Sequence, residues 1–186
     1  MNLFKNKFRI ESSRLKEWDY STPWWYYVTI CTKNFKCWFG DVKNGKMILN
    51  DVGKIIEEEW LKTKEIRENV DLDYYVIMPN HFHGNIIING PENFDRIVET
   101  SRRDVSMKQE TGHRPVSTNL KPDSLGSIVG QFKSICTKRI RKSGYEKFQW
   151  QPRFYDHIIR NENDLRRIRE YIKNNPLRWE LDEYFR

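Results

Sequence analysis

Residues 72–88 read LDYYVIMPNHFHGNIII, and the break in the middle of this stretch decides the fold. Two runs rich in β-branched and aromatic residues, 72–78 and 81–88, flank Pro79-Asn80, a pair that interrupts strands and favours tight turns. They read as two strands paired antiparallel. Residues i and i+2 of a strand project from the same face. His81 and His83 therefore point one way and Phe82 the other, where it can anchor the strand in a core. Two neutral imidazoles side by side can supply two ligands to one divalent ion. Two partly exposed polar residues on a strand would leave the same pattern, so the short motif alone keeps both readings open. The chain holds four His, two of them in this strand.

Upstream, residues 24–32 (WWYYVTICT) form another strand signal, and 38–49 a short ribbon interrupted at Gly40 and Asn44-Gly45. A helix is predicted from about Asp51 to Lys64, capped by Asn50 or Asp51, with Val52, Ile55, Ile56 and Trp60 as its buried stripe. Downstream, residues 90–124 are sparse in apolar groups and aperiodic, and read as a long surface insertion. A helix follows from about Ser124 or Gly126 to Arg141, with Ile128, Phe132, Ile135 and Ile140 facing inward. Residues 149–160 (QWQPRFYDHIIR) read as a last strand, and about Glu162 to Asn174 as a last helix, ended by Pro176. The order strand, helix, strand, strand, helix, strand is the βαββαβ pattern of an α+β, ferredoxin-like split βαβ unit with an antiparallel sheet, plus an added C-terminal helix.

That last helix carries Leu165, Ile168 and Ile172 on one stripe, with Tyr171 beside it. Asn175 lies four residues beyond Tyr171, one turn along the same face. A tyrosine and an amide facing a metal site would supply a nucleophile and a neutral oxygen ligand. A core tyrosine with a C-capping asparagine fits the spacing equally. The second helix has two readings as well. Lys133, Lys138, Arg139, Arg141 and Lys142 fall within ten residues without an acid. They line a path for phosphates or form an ordinary solvated face. Trp24-Trp25, Trp150, Phe154 and Tyr155 are base-stacking or core aromatics. Asp156-His157 is an acid/base or ligand pair, or a structural one at a strand end.

Composition narrows the classes. The 186 residues carry a net charge of +7, 32% charged and 14% aromatic side chains, with a pI near 9.3 and a mean hydropathy of −0.83. The length suits one domain with a real core, here expected over residues 1–186. No apolar run approaches the roughly 18 residues of a membrane span, so no membrane partner is expected. The start MNLFKNKFRI has no apolar signal core. Three Cys without a CxxC pair exclude a disulfide scaffold and a cysteine-rich zinc module, and fit a cytoplasmic setting. A basic, aromatic-rich chain points to a polyanionic partner.

Taken together, MPNHFHGNIII resembles the His-hydrophobic-His (HUH) motif of single-strand tyrosine transposases. YIKNNPLRW is similar to the Tyr-Ile-x-x-Asn-Pro segment of REP-associated tyrosine transposases. RLKEWDYSTPWWYYVTICTKN, LNDVGKIIEEEW and WQPRFYDHIIRNENDL also read like that family, so the resemblance covers nearly all of the chain except 90–124. It implies a ferredoxin-like fold that cleaves and rejoins single-stranded DNA beside hairpins. By position it implies His81 and His83 as metal ligands, Tyr171 as nucleophile and Asn175 as third ligand, with Asn174 or Asp156 as substitutes. The implied cofactor is Mg²⁺ or Mn²⁺. The implied partner is hairpin-bearing single-stranded DNA, met by a monomer or homodimer, with Lys133, Lys138, Arg139 and Arg141 along its path. A non-catalytic hairpin-binding protein on the same scaffold is the alternative. An RNA-binding ferredoxin-like module and a metal-dependent hydrolase that activates water are further ones.

Overall fold

The computed structural model describes residues 18–90 and 121–185, together with the backbone of two short paired strands, Leu3–Phe4 (β1) and Lys7–Phe8 (β2). Most of the insertion expected at 90–124 lies outside the described residues. Trp24–Cys31 (β3) runs down the centre of a four-stranded sheet. His81–Ile88 (β7) pairs antiparallel along its whole length, from Trp24↔Ile88 to Cys31↔His81. Val70–Ile77 (β6) borders β7, and Tyr155–Ile158 (β8) borders β3, giving the order β6-β7-β3-β8. Asp51–Ile66 (α1) connects β3 to β6, and Leu125–Lys142 (α2) connects β7 to β8. Since β7 lies between β3 and β6, this is the split βαβ arrangement expected from the element order. Glu162–Asn174 (α3) is the added helix.

Local chemistry sets the boundaries. Asn50 Oδ1 accepts from Gly53 N at 3.0 Å, Ser124 Oγ from Ser127 N at 3.3 Å and Asn161 Oδ1 from Asp164 N at 2.9 Å, so each main helix starts on a side-chain cap. The ribbon is Gly40–Lys43 (β4) against Lys46–Leu49 (β5). Asn44 and Gly45 turn it with φ of 52° and 69°, the pair of positive angles that a two-residue hairpin turn needs. The last strand is shorter than the 149–160 expected. Pro152 has no N–H to donate and Arg153 is held at φ 67°, so regular pairing starts only at Tyr155. Trp150 still makes an isolated bridge to Thr32.

The pleat of β7 divides the molecule. Phe82 and Ile86 face α1 and α2, where Trp60, Phe132, Ile128 and Ile140 close the main core. Trp60 and Phe82 meet with ring centroids 4.5 Å apart. The other face carries His81, His83 and Asn85 and is covered by α3, whose Leu165, Ile168 and Ile172 pack with Tyr27 and Ile159. Gly84 points to the core side, and a Cβ there would come within 2.6 Å of Trp60 Cζ2 and 2.8 Å of Phe82 Cε1. Gly84→Val is therefore expected to cost about 2 kcal/mol or more through overpacking. Urea denaturation checks this, and an unchanged midpoint would show that the Trp60–Phe82 contact yields freely.

Candidate active site

Two polar residues orient the first imidazole. Asn80 is fully buried, and its Nδ2 donates to the Phe35 and Tyr184 carbonyls at 3.0 and 2.7 Å. Its Oδ1 is thereby left as an acceptor, 2.8 Å from His81 Nδ1. His81 must donate from Nδ1, which makes Nε2 the lone-pair nitrogen. That Nε2 is buried without a hydrogen-bond partner among the described residues. The second imidazole has softer support. His83 Nδ1 lies 2.7 Å from the Tyr27 hydroxyl and 2.9 Å from Thr29 Oγ1, two groups that donate or accept as required. The ring can therefore also present Nε2 as a lone pair.

Burial pushes the His81 imidazole down to about 3. Burial, and then the neighbouring His81, hold His83 well below the ordinary imidazole range. Both rings are neutral at pH 7, the form that ligates a metal. Their ring centroids are 4.5 Å apart. Tyr184 and Trp179 cover His81, with centroids at 4.7 and 5.9 Å, which explains why so little water reaches the pair.

The tyrosine reaches this pair from across the sheet. Tyr171 Oη is 3.5 Å from His83 Nε2, and the two rings lie edge to face at 5.2 Å. The ring is less buried than its place beside the apolar stripe suggested, with 41% of the residue exposed. Burial, then Asp182 and Glu183, push the phenol up to about 12. Two further contacts fix the helix that carries it. Arg169 makes a bidentate pair with Asp73 of β6, both N···O distances 2.9 Å. Burial alone would raise the Asp73 carboxyl, but the Arg169 and Asn85 donors outweigh it and hold it low. At the N-terminal end, His157 Nε2 bonds Asp164 Oδ2 at 2.8 Å.

Asn175 keeps helical angles (φ −58°, ψ −44°) although proline follows, because Pro176 opens a 3-10 segment, Pro176–Leu181, and its fixed φ suits that start. Asn175 is 3% exposed, its Nδ2 donates to Asp182 Oδ2 at 3.0 Å, and its Oδ1 is buried without a partner among the described residues. The 3-10 segment also turns Asp182 back toward the imidazoles. One ligand atom from each of His81, His83 and Asp182 lies within 4.8 Å of the others. Asp182 carries no periodic or motif signal in the sequence; only the path of the chain after Pro176 brings it here. Of the substitutes, Asp156 alternates with His157 along β8 and so lies on the opposite face of the sheet. Asn174 lines a hollow that Tyr171, Asn175 and Asp182 also border.

The basic helix is less free than its sequence suggests. Arg139 bonds Glu58 and Glu59 of α1. Lys133 Nζ donates to the Gln151 and Arg153 carbonyls at 2.8 and 2.7 Å, and burial pushes its ammonium down to about 8. Arg141 Nε and Nη2 donate to the Phe148 carbonyl. Lys133, Lys138, Arg141 and Trp150 nevertheless line one groove of about 750 Å³ between α2 and residues 149–152. Among the described residues no helix is long and apolar enough to cross a membrane.

No family model matches the chain. An uncharacterized protein of Haemophilus influenzae Rd is 35% identical over 174 residues, covering 94% of this chain and 92% of that one. The two chains belong to one family. A solved REP-associated tyrosine transposase, bound in its structure to a REP hairpin, overlays with a TM-score of 0.56 at 17% identity, covering 94% of this chain and 77% of the other. The chain thus has the fold of a REP-associated tyrosine transposase, which bears out the sequence resemblance at the level of fold. A candidate transposase from Deinococcus radiodurans R1 overlays with a TM-score of only 0.37 at 12% identity, covering 90% of this chain and 97% of that one.

Proposed function

We propose that this chain cleaves and rejoins single-stranded DNA beside hairpins, with Tyr171 as the nucleophile. One observation carries the reading: a phenol on one helix stands 3.5 Å from a buried imidazole of a paired set on another element. Their surroundings favour chemistry over packing. The lone pair on His81 Nε2 and the Asn175 oxygen are buried and unpaired, an arrangement that costs roughly 1–3 kcal/mol per group unless something binds there.

The donor set fits a divalent ion. His81 Nε2, His83 Nε2 and an oxygen from Asn175 or Asp182 would hold it, a mixed set suited to Mn²⁺ and compatible with Mg²⁺. When bound, such an ion supplies charge that polarises a phosphate and stabilises the oxygen charge developing on it. The chain's own residues do the rest. Asn80 fixes the His81 tautomer, and Asp73 with Arg169 holds α3 so that Tyr171 stays at the site. The Tyr171 oxygen attacks phosphorus. The bond to the tyrosine forms as the bond to the 3′ oxygen breaks, and the phenol's proton is passed to that oxygen. The 5′ phosphate remains on the enzyme as a phosphotyrosine. A second 3′ hydroxyl reverses the step, and since the phosphodiester is conserved no nucleotide cofactor is needed. Incubating the chain with hairpin-bearing single-stranded DNA and Mn²⁺ tests this directly. A denaturation-resistant protein–DNA adduct is expected, and nicking without one would favour a water-activating hydrolase.

The groove beside α2 is the proposed path for the DNA backbone. Lys138 brings a head group with no carbonyl or carboxylate holding it among the contacts of the described residues. Lys138→Gln is therefore expected to lower the slope of log affinity against log salt by about 1. Arg139→Gln is expected to leave that slope unchanged. It should instead cost roughly 1–2 kcal/mol of stability, because Glu59, 6% exposed, loses its main partner. Fluorescence anisotropy over a salt series and urea denaturation separate the two effects. A reversed pattern would move the DNA path onto the Arg139 side of the helix.

A further inference from the structure

Beside the imidazole pair, the same sheet face opens into a cleft of about 690 Å³ that extends from the reacting groups to residues to which the cleavage chemistry gives no role. That volume falls within the usual range for a small-molecule or nucleotide pocket. Tyr171 and His83 form one wall, and Tyr155, His157 and Arg167 line the cleft with them. The register of β8 explains the grouping. Tyr155 lies opposite Thr29 and His157 opposite Tyr27, so both side chains rise from the face on which Tyr171 sits.

Three features of the lining point to a nucleotide. Tyr155 is 49% exposed, and its edge-to-face contact with Tyr27, at 6.4 Å, steadies the ring while leaving much of it accessible. Asp164 forms a hub: it accepts from His157 Nε2, from Arg167 Nη2 at 2.8 Å and from the Arg160 backbone N–H at 3.2 Å. Burial alone would raise its carboxyl, but these donors outweigh it and keep Asp164 ionised. The Arg167 side chain is clamped at one nitrogen yet 77% exposed, so most of its donor fork remains open to solvent. Among the described Lys, Arg, Asp and Glu side chains, the cleft is lined by one cation, Arg167, and one anion, Glu183. A phosphodiester is drawn to the first and repelled by the second, which favours seating it at the Arg167 side of the cleft.

We propose that this cleft is a subsite for one unpaired nucleotide next to the scissile phosphate, with Tyr155 stacking on the base and Arg167 holding the phosphate. The assignment rests on the strand-cleavage reading above. Stacking on a side chain requires a base with an open face, which a duplex does not offer and a single strand does. His157 is a positioning residue, tying Asp164 and so Arg167 to the strand that carries Tyr155.

The test measures affinity of the full-length chain for a hairpin with a single-stranded flank, replacing the flank nucleotides one at a time by an abasic residue. At one position the abasic substitution is expected to weaken binding about tenfold, the scale of one base–aromatic stack. In Tyr155→Ala that penalty should vanish, and in Tyr155→Phe, which keeps the ring, it should return. Arg167→Gln should weaken all flanks and lower the salt slope by about 1. The subsite is overturned if Tyr155→Ala keeps the penalty or if no flank position shows one. Should the unsubstituted chain form its covalent adduct in those cases, the subsite alone fails; with no adduct and no preference for unpaired flanks, the cleavage reading fails too. A free deoxynucleoside monophosphate should compete only weakly. Competition stronger than that of the flank would make the cleft a site for a soluble nucleotide and overturn the proposal.

Discussion

Tyr171→Phe is expected to abolish the covalent protein–DNA adduct and to lower strand cleavage by about 10³-fold or more, while affinity for hairpin DNA changes by no more than about twofold. The removed oxygen lies 3.5 Å from His83, a long contact, so little folding or binding energy leaves with it. The ring keeps its packing against His83 and Tyr27. What disappears is the atom that must bond to phosphorus. The free phenol is a poor nucleophile as it stands. With its pKa pushed up to about 12, the difference from pH 7 is five decades, so about one molecule in 10⁵ is ionised. Charge supplied next to the hydroxyl must lower that barrier, which is why the imidazole cluster and the phenol have to be neighbours. A gel of denatured complexes and an anisotropy titration read the two quantities separately. An undiminished adduct would remove Tyr171 from the chemistry and direct attention to Tyr184 or Tyr155 on the same face. Loss of binding together with the adduct would make Tyr171 a structural residue.

The parts of this architecture that follow from local periodicity were readable in the chain. The alternation in HFHGNIII separates Phe82 and Ile86 from His81 and His83, and the pleat realises that division directly. The last helix was legible for the same reason: Leu165, Ile168 and Ile172 recur at helical spacing between an asparagine cap and a proline stop. Where the outcome depends on a partner distant in sequence, the chain carries no local signal. A run of lysines and arginines on α2 does not reveal that Arg139 will meet Glu58 and Glu59, some eighty residues earlier. His157 next to Asp156 suggests a neighbour pair, but strand alternation puts them on opposite faces, and the carboxylate that reaches His157 is Asp164. Asp182 is the furthest from local inference. Its approach depends on a 3-10 segment redirecting the chain after Pro176, and no spacing rule connects it with an imidazole pair a hundred residues upstream.

His81→Ala should also damage activity severely, but through a different quantity. The substitution deletes the lone-pair nitrogen whose orientation Asn80 fixes. Calorimetric titration with Mn²⁺ is expected to show affinity falling by at least about tenfold to a hundredfold, the range seen even for groups one shell further out. Cleavage should fall by about 10²-fold or more, and thorough EDTA treatment of the unsubstituted chain should reproduce that loss and fresh Mn²⁺ reverse it. Some stability will go as well, because Asn80 Oδ1 loses its donor inside a closed cluster, at a cost of about 1–3 kcal/mol. His81→Gln serves as the control, since it keeps polarity and most of the volume without restoring the imidazole. Cleavage that survives EDTA would sink the metal altogether. Cleavage that is lost in His81→Ala with Mn²⁺ affinity unchanged would make the imidazole act on the DNA itself. The same titration applied to Asn175→Ala and Asp182→Ala identifies the third donor. Asn175 offers an oxygen with no partner, whereas Asp182 offers charge but already accepts from Asn175 and from the Tyr184 backbone N–H. If Asn175 is the ligand, Asn175→Ala should be the larger effect and Asp182→Ala, which removes the acceptor orienting the amide, the smaller one. If the carboxylate is, Asp182→Ala should be the larger effect, and Asn175 becomes the group that holds the carboxylate in place.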